Sequence, residues 1–350
     1  MQTFKGVLFR RSPHLVCYWD GKQFVFENYA SGTRLGADPL ICKILDDFDD
    51  WRPPAALFDR LKQFSPASLL QAIRELAKHC LLQRSDRPLN PAEEAMQTWR
   101  AWNPAAGFFH FSTKDVLYDP DPLRESRHLR RKAKKCPMPA PVKHYPKAPQ
   151  TPLPPYRTQG EFPRTLLARR TWRRFSARPL QLSELATLLG LTWGVQRWME
   201  LPGLGRAALK TSPAGGARHC IEAYVLALRV EGLPRGLYHY AADTHCLELL
   251  ARGATSRQLQ SYVPAQWWYS SAAALTLMTA VFPRHQWRYD FARGYRAVLL
   301  EAGHVCQTFC LVATWLGLAP FCTLPFASRK QSPCYKPSEV FISENLAFNF

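Results

Sequence analysis

With 350 residues, 47% of them hydrophobic and 21% charged, the chain carries enough apolar surface for a substantial core, which excludes wholesale disorder. The length predicts two domains, one of them small. A formal net charge of +19 attracts anions, whether nucleic acid, membrane phosphates or a phosphorylated cofactor, without choosing among them.

Arg10 and Arg11 interrupt the start where a signal peptide needs an apolar core, so a cytoplasmic protein is expected. His14–Trp19 and Lys22–Asn28 are β-rich runs joined by Asp20-Gly21, a dipeptide suited to a tight hairpin turn. Leu40, Ile41, Ile44, Leu45 and Phe48 follow at helical spacing, then a short helix near Ala55–Lys62. Ser65 caps a third helix with Pro66 at its first position, and its apolar face (Leu69, Leu70, Ile73, Leu76, Ala77) leads to a strand at Cys80–Gln83. These elements predict a small winged-helix-like module over residues 1–88.

Residues 89–163 change character. Proline is dense between Pro120 and Pro155, and Arg124–Lys135 is strongly basic, which predicts an extended, solvated linker. No aromatic residues interleave with the basic run, so nucleic-acid binding is not expected of it. The aromatic patch before it (Trp99, Trp102, Phe108, Phe109, Phe111) is expected to pack on one of the domains.

The second domain, residues 164–350, is predicted to hold a helix at Ser183–Val195, then strands at Ile221–Val230, Gly236–Tyr240 and Ala272–Phe282, and a long helix at Tyr295–Leu316. A sheet with a long apolar helix indicates α+β or α/β layering. Glu301, His304 and Gln307 within the apolar run Ala297–Leu318 mark a buried helix, not a membrane span. Ten cysteines without a Cys-x-x-Cys, with Cys306 and Cys310 one turn apart on that helix, fit reduced core thiols, and the dispersed histidines predict no metal site.

Three segments carry chemistry. Arg169, Arg170, Thr171, Arg173 and Arg174 stand within six residues, and clustered guanidinium forks with a hydroxyl can clamp one phosphate; a solvated charged face is the plainer alternative. Ser212–His219 (SPAGGARH) offers small residues that let a backbone approach a ligand, or forms a simple turn. Trp287–His304 places Arg288, Tyr289, Arg293, Tyr295 and Arg296 ahead of the long helix, with Glu301 and His304 three residues apart on it, able to touch as an acid/base pair or to sit as satisfied polar groups.

In this order and spacing, RRTWRRF, SPAGGARHCIEAYV and RGYRAVLLEAGHVCQ resemble the FMN-dependent nitroreductase family over about Arg164–Thr323, with the greatest similarity to its SagB-type branch, which oxidises thiazolines and oxazolines in ribosomally made peptides. The resemblance implies an α+β fold with a central, mostly antiparallel sheet flanked by helices. It implies that Arg169, Arg170, Thr171 and Arg173 hold the FMN phosphate and ribityl chain. It further implies that Pro213, Ala214, Gly215 and Gly216 lie along the isoalloxazine or its phosphate, and that the turn Leu318–Phe321, with Ala319 and Pro320, faces the flavin from the other side. A homodimer joined through the long helices is implied, as are a peptide or small-molecule substrate and a cyclodehydratase partner. The amino-terminal module resembles the peptide-recognition module ahead of some SagB-type enzymes, whose hairpin edge can capture a peptide as an added strand.

The sequence departs from the pattern in three places. Azoline-oxidising members carry Lys-Tyr where Arg288-Tyr289 stands, leaving Tyr289 as the proton relay because arginine stays protonated. Cys220 replaces a common proline, and the family's acidic stretch and final strand are not recognisable in Ala327–Phe350. The resulting expectation is an FMN-dependent dehydrogenase of a peptide-derived substrate. The alternatives are a pyridine-nucleotide-dependent nitro or quinone reductase, a flavin-free peptide scaffold, and a nucleic-acid-binding protein.

Overall fold

The computed structural model describes residue 4 and residues 6–113, 121–136, 141–142, 152–202, 205–263, 266–323 and 347–349. They form two compact units, one holding the described residues up to Thr113 together with Val281–Val298, the other the remaining described residues.

The first unit begins with β1 (Phe9–Arg11), β2 (Leu15–Asp20), β3 (Gln23–Asn28) and β4 (Thr33–Gly36). β2, β3 and β4 make an antiparallel meander whose first turn uses Gly21 at φ +61°, a left-handed conformation that costs glycine little. Then come α1 (Ile41–Asp46), α2 (Ala55–Arg60), α3 (Pro66–Lys78) and β5 (Leu82–Arg84), which pairs antiparallel with β1. The Ser65 hydroxyl accepts the Ser68 N–H and caps α3, as its sequence position predicts. Phe9, Phe26, Leu45, Phe48, Leu57, Ile73 and Leu81 form the buried core between sheet and helices.

α4 (Pro91–Ala95), a 3-10 stretch at Met96–Trp102 and α5 (Ala105–Thr113) belong to this same unit, although the sequence places them in a linker. The reason is a buried carboxylate. Glu93 on α4 accepts hydrogen bonds from the Ser12 hydroxyl, from Asn28 Nδ2 at 2.9 Å and from Gln83 Nε2 at 3.1 Å. Sharing three donors offsets the cost of taking a charge out of water. Trp99 and Trp102, both fully buried, pack edge-on against Phe282.

The basic run is helical, not extended: α6 (Pro122–Lys135) starts with the Asp121 carboxylate accepting the Leu123 N–H, and Arg124 and Arg127 pair with the same carboxylate. A capping aspartate with proline in the first turn, followed by straight-chain arginine and lysine, outweighs the surrounding proline density.

The second unit continues with α7 (Glu161–Ala168), β6 (Leu180–Gln181), α8 (Leu182–Trp193), β7 (Arg197–Leu201) and β8 (Gly205–Leu209). Next are β9 (Ile221–Ala227), β10 (Val230–Glu231), β11 (Gly236–Ala241), β12 (Cys246–Arg252), α9 (Ser256–Tyr262), β13 (Ala274–Ala280), α10 (Phe282–Gln286), α11 (Gly294–Trp315), β14 (Phe321–Thr323) and β15 (Ala347–Asn349). α10 and the first residues of α11 belong to the first unit; the boundary falls within α11, after Val298.

The main sheet has the order β12-β11-β9-β13-β15-β14, and every pairing in it is antiparallel. β9 and β13 are apolar and buried along nearly their whole length, as central strands covered on both faces are. The final strand that the sequence did not reveal is β15, set between β13 and β14. It is short and tied to its place only by partners distant in sequence, so no local pattern announces it. Among the described helices α11 alone is long and apolar enough to cross a membrane. Val298, Ala302, Val305, Phe309 and Ala313 on it are nevertheless buried in the protein, while Arg296, Leu300, Gly303 and Gln307 form its outer face.

Candidate functional site

In the second unit the arginine motif and the turn after α11 lie side by side. The main-chain N–H of Trp172 donates to the carbonyl of Pro320 at 3.2 Å. The Arg173 guanidinium lies 5.3 Å from the ring centre of Phe321 and 5.9 Å from that of Trp268, within cation–π range. Arg169 follows directly on α7, whose last turn ends with its N–H on the carbonyl of Thr165, and Arg170 Nη1 donates to the carbonyls of Leu167 and Arg169 at 2.8 Å each. Thr171 is exposed beside them.

A cavity of about 300 Å³ opens at this junction, lined by Trp172, Arg174 and Arg178 on one side and by Gly317, Leu318 and Ala319 on the other. That volume lies at the lower end for small-molecule pockets. Arg178 is fixed there by Glu184, its two guanidinium nitrogens donating at 3.0 and 3.2 Å to the carboxylate oxygens. Glu184 also accepts the Gln181 N–H at 2.9 Å, completing a capping box at the start of α8. Burial raises the Glu184 pKa, but the hydrogen bonds from Arg178 and Gln181 prevail and hold it below its ordinary value, so the carboxylate stays charged and keeps Arg178 in place. Arg174 belongs to the arginine cluster read from the sequence, although the family resemblance assigned it no role, and Arg178 lies beyond that motif.

The small-residue loop lies against α11. Ser212 Oγ and Thr308 Oγ1 are 2.6 Å apart, and His304 Nδ1 is 3.3 Å from the carbonyl of Pro213. Gly215–Ala217 forms a 3-10 turn in which Gly216 sits at φ +61° and Ala217 at φ +54°. Ala214 and Gly215 accept the N–H groups of Ala217 and Arg218, which fixes the turn. Glu301 and His304 do not pair with each other. The buried Glu301 accepts the Ile221 N–H at 3.2 Å and secures the start of β9, whereas the exposed His304 meets the loop. Each is engaged by a backbone partner instead.

Arg288 and Tyr289 belong to the first unit, between α10 and α11. The Tyr289 ring is 4.7 Å from that of His285, Arg288 lies 5.6 Å from its centre, and Trp102 Nε1 donates to the Tyr289 carbonyl at 3.1 Å. His285 is buried, and loss of solvation lowers its pKa, so its imidazole is neutral at pH 7. Trp102 thus ties the aromatic segment to this stretch, and His110 Nδ1 and Tyr295 Oη lie 2.8 Å apart in the same aromatic cluster.

A cluster of three thiols was not foreseen. Cys306 and Cys310 on α11 and Cys322 on β14 bring their Sγ atoms within 4.8 Å of one another. The four-residue spacing on α11 was visible in the sequence; the approach of Cys322 depends on how β14 returns along the helix. Hydrogen bonds from Cys306 and Cys322 pull the Cys310 thiol well below its ordinary value, with Arg169 adding its positive field, while the other two thiols are raised.

The profile of the Nitroreductase family matches residues 166–330. The nitroreductase MJ1384 of Methanocaldococcus jannaschii is 31% identical over 153 residues, covering 44% of this chain and 73% of the relative. The chain belongs to the nitroreductase family. Flavin-using oxidoreductases make up this family, and the resemblance to its SagB-type branch is matched by a second relative. The trifolitoxin-processing protein TfxB of Rhizobium leguminosarum bv. trifolii is 30% identical over 144 residues, covering 40% of this chain but only 38% of its own length. Among solved structures, a nitroreductase from Ralstonia eutropha JMP134 overlaps 56% of this chain and 85% of its own at 25% identity and a TM-score of 0.43. The E. coli microcin synthetase McbBCD complex with truncated pro-MccB17 bound overlaps 69% of this chain and 90% of its own at 18% identity and a TM-score of 0.44.

The residues at the junction fit a flavin nucleotide. A cavity with one indole and several aliphatic walls suits a flat ring, and guanidinium groups at its rim suit a phosphate. Gly216, at φ +61°, leaves the separate Ser212–His219 loop free of a β-carbon at its sharpest point; that loop meets α11 at His304 and Thr308 and does not line the cavity.

Proposed function

We propose that this nitroreductase-family protein is an FMN-dependent dehydrogenase acting on a peptide-derived substrate, of the type that converts an azoline to an azole. The observation that carries this is the junction of Trp172 with Pro320, which brings Trp172 and Arg174 of the arginine motif and the turn after α11 to one cavity. Arg169, Arg170, Thr171 and Arg173, with Arg174 and Arg178, would hold the phosphate and ribityl chain. Pro213, Ala214, Gly215 and Gly216 would border the ring on one side, and Ala319 and Pro320 on the other. When bound, FMN supplies a two-electron acceptor for hydride.

Aromatising an azoline removes a hydride and a proton. Tyr289 is the proposed proton relay; Arg288, protonated at neutral pH, orients by charge and takes no proton. Trp172, Leu318 and Ala319 keep water from the ring. The antiparallel meander of the first unit offers edge strands β2 and β4 for a substrate peptide added as a further strand. TfxB, named for trifolitoxin processing, supports a peptide substrate. A homodimer joined through the outer face of α11, where Leu300 is 64% exposed, a cyclodehydratase partner and a cytoplasmic setting complete the proposal.

The test is anaerobic. FMN-loaded protein is mixed with an azoline-containing peptide or with reduced pyridine nucleotide, and the visible flavin band is followed. Bleaching by the peptide with formation of the azole is expected; bleaching by pyridine nucleotide alone would favour a nitro or quinone reductase.

A further inference from the structure

The thiol cluster has no part in the proposed flavin chemistry. Cys306 and Cys310 are four residues apart on α11, so their side chains leave the same face of the helix one turn apart. Cys322 is the middle residue of β14, brought back to that face by the turn at Gly317, which has φ +72°. Its Sγ lies 3.3 Å from that of Cys306 and 3.0 Å from that of Cys310. Cys310 is buried and the other two are half-buried.

We propose that Cys306, Cys310 and Cys322 form a binding site for a single zinc(II) ion, held by three thiolates with a fourth position open to water. Zinc–sulfur bonds of about 2.3 Å in tetrahedral geometry place ligand sulfurs about 3.8 Å apart. The Cys322 contacts need to open by less than about 1 Å to reach this, a shift available to side-chain rotation. The donor set is sulfur only, which selects a soft or borderline cation over magnesium, calcium or manganese. No fourth cysteine and no histidine or carboxylate joins the group among the described residues, consistent with the open position.

The charge balance also favours a dication. Three thiolates and one zinc(II) leave a single negative charge, and the Arg169 guanidinium is near enough to act electrostatically on both helix thiols. The sulfurs bind as thiolates, so zinc competes with protons for them and affinity falls in acid. The bound ion would pin β14, an edge strand of the main sheet, to α11 beside the turn that lines the cavity. A disulfide is the competing fate of such a cluster. It joins only two of the three sulfurs, requires an oxidant, and needs a separation of about 2.05 Å.

The full chain is purified under argon with a reductant from zinc-supplemented cells, and its metal content is measured. About one zinc per chain is expected, falling to background in Cys310→Ser and in Cys322→Ser. Stripped wild-type protein titrated with cobalt(II) should develop an intense near-ultraviolet thiolate-to-cobalt band that saturates at one equivalent; this arm needs no variant to fold. The proposal is overturned by wild-type protein that holds no zinc and shows no cobalt band, or by full zinc retention in both folded variants. Stoichiometric copper in place of zinc, or metal-free protein about two daltons light from a disulfide, would overturn it equally.

Discussion

Trp172 and Pro320, 148 positions apart in sequence, are joined by a main-chain hydrogen bond of 3.2 Å. Through it the arginine-rich segment runs beside the turn that ends α11, and Arg174 reaches the rim of the cavity that Leu318 and Ala319 close from the far side. Arg174→Ala should therefore weaken FMN binding about tenfold or more, the value of a charged hydrogen bond. The dissociation constant from quenching of flavin fluorescence checks it.

Tyr289 is proposed to relay a proton, and Arg288 stands over its ring at 5.6 Å. Tyr289→Phe removes only the hydroxyl and should lower turnover by about 10² or more with flavin affinity unchanged. Arg288→Ala should cost far less, because its guanidinium exchanges no proton. Equal losses in the two variants, measured by single-turnover reduction, would remove Tyr289 from the chemistry.

His239 on β11 bridges two carboxylates, Glu222 at 3.0 Å and Glu248 at 2.8 Å. The hydrogen bond to Glu222 raises its pKa against the opposing effect of burial, and Glu248 adds to the rise. A folded-state value above the unfolded one, about 6.5, means that the stabilisation is complete below about pH 6.5 and is lost as pH rises through the folded value. Glu248 is well exposed, so the contribution is small, below about 1 kcal/mol. Thermal midpoints measured across this range should fall more steeply toward alkaline pH in wild-type protein than in His239→Gln.

Trp99 is fully buried among Trp102, His110, Phe282 and Tyr295. Trp99→Ala leaves a cavity where four rings meet and should destabilise the first unit by about 3–5 kcal/mol, read by urea denaturation. A loss under 1 kcal/mol would show that the segment 91–113 is not integral to that unit.

Local chemistry was legible in the sequence. Asp20-Gly21 announced its hairpin, Ser65-Pro66 its helix start, and the helix expected from Ser183 begins one residue earlier, at Leu182, capped by Gln181. The three family segments likewise stand out because glycines and arginines are compact signals. What was missed depends on contacts between distant residues. β7 and β8 read as a loop because β7 is exposed along nearly its whole length and shows no alternation of burial. Glu93 looked like one more charge in a linker, and only the three donors around it explain why that segment docks. Cys322 gains its meaning from two thiols on another element, and Arg178 from its salt bridge to Glu184.

The central claim is that the arginine cluster holds a flavin phosphate, and its most direct test is the visible spectrum of purified full-length protein titrated with FMN. The account predicts a saturable, flavin-type spectrum at about one FMN per chain, lost when Arg169 and Arg173 are both replaced by alanine in protein that remains folded. A colourless wild-type protein that ignores added FMN would contradict it, as would a double variant that binds FMN as tightly as the wild type.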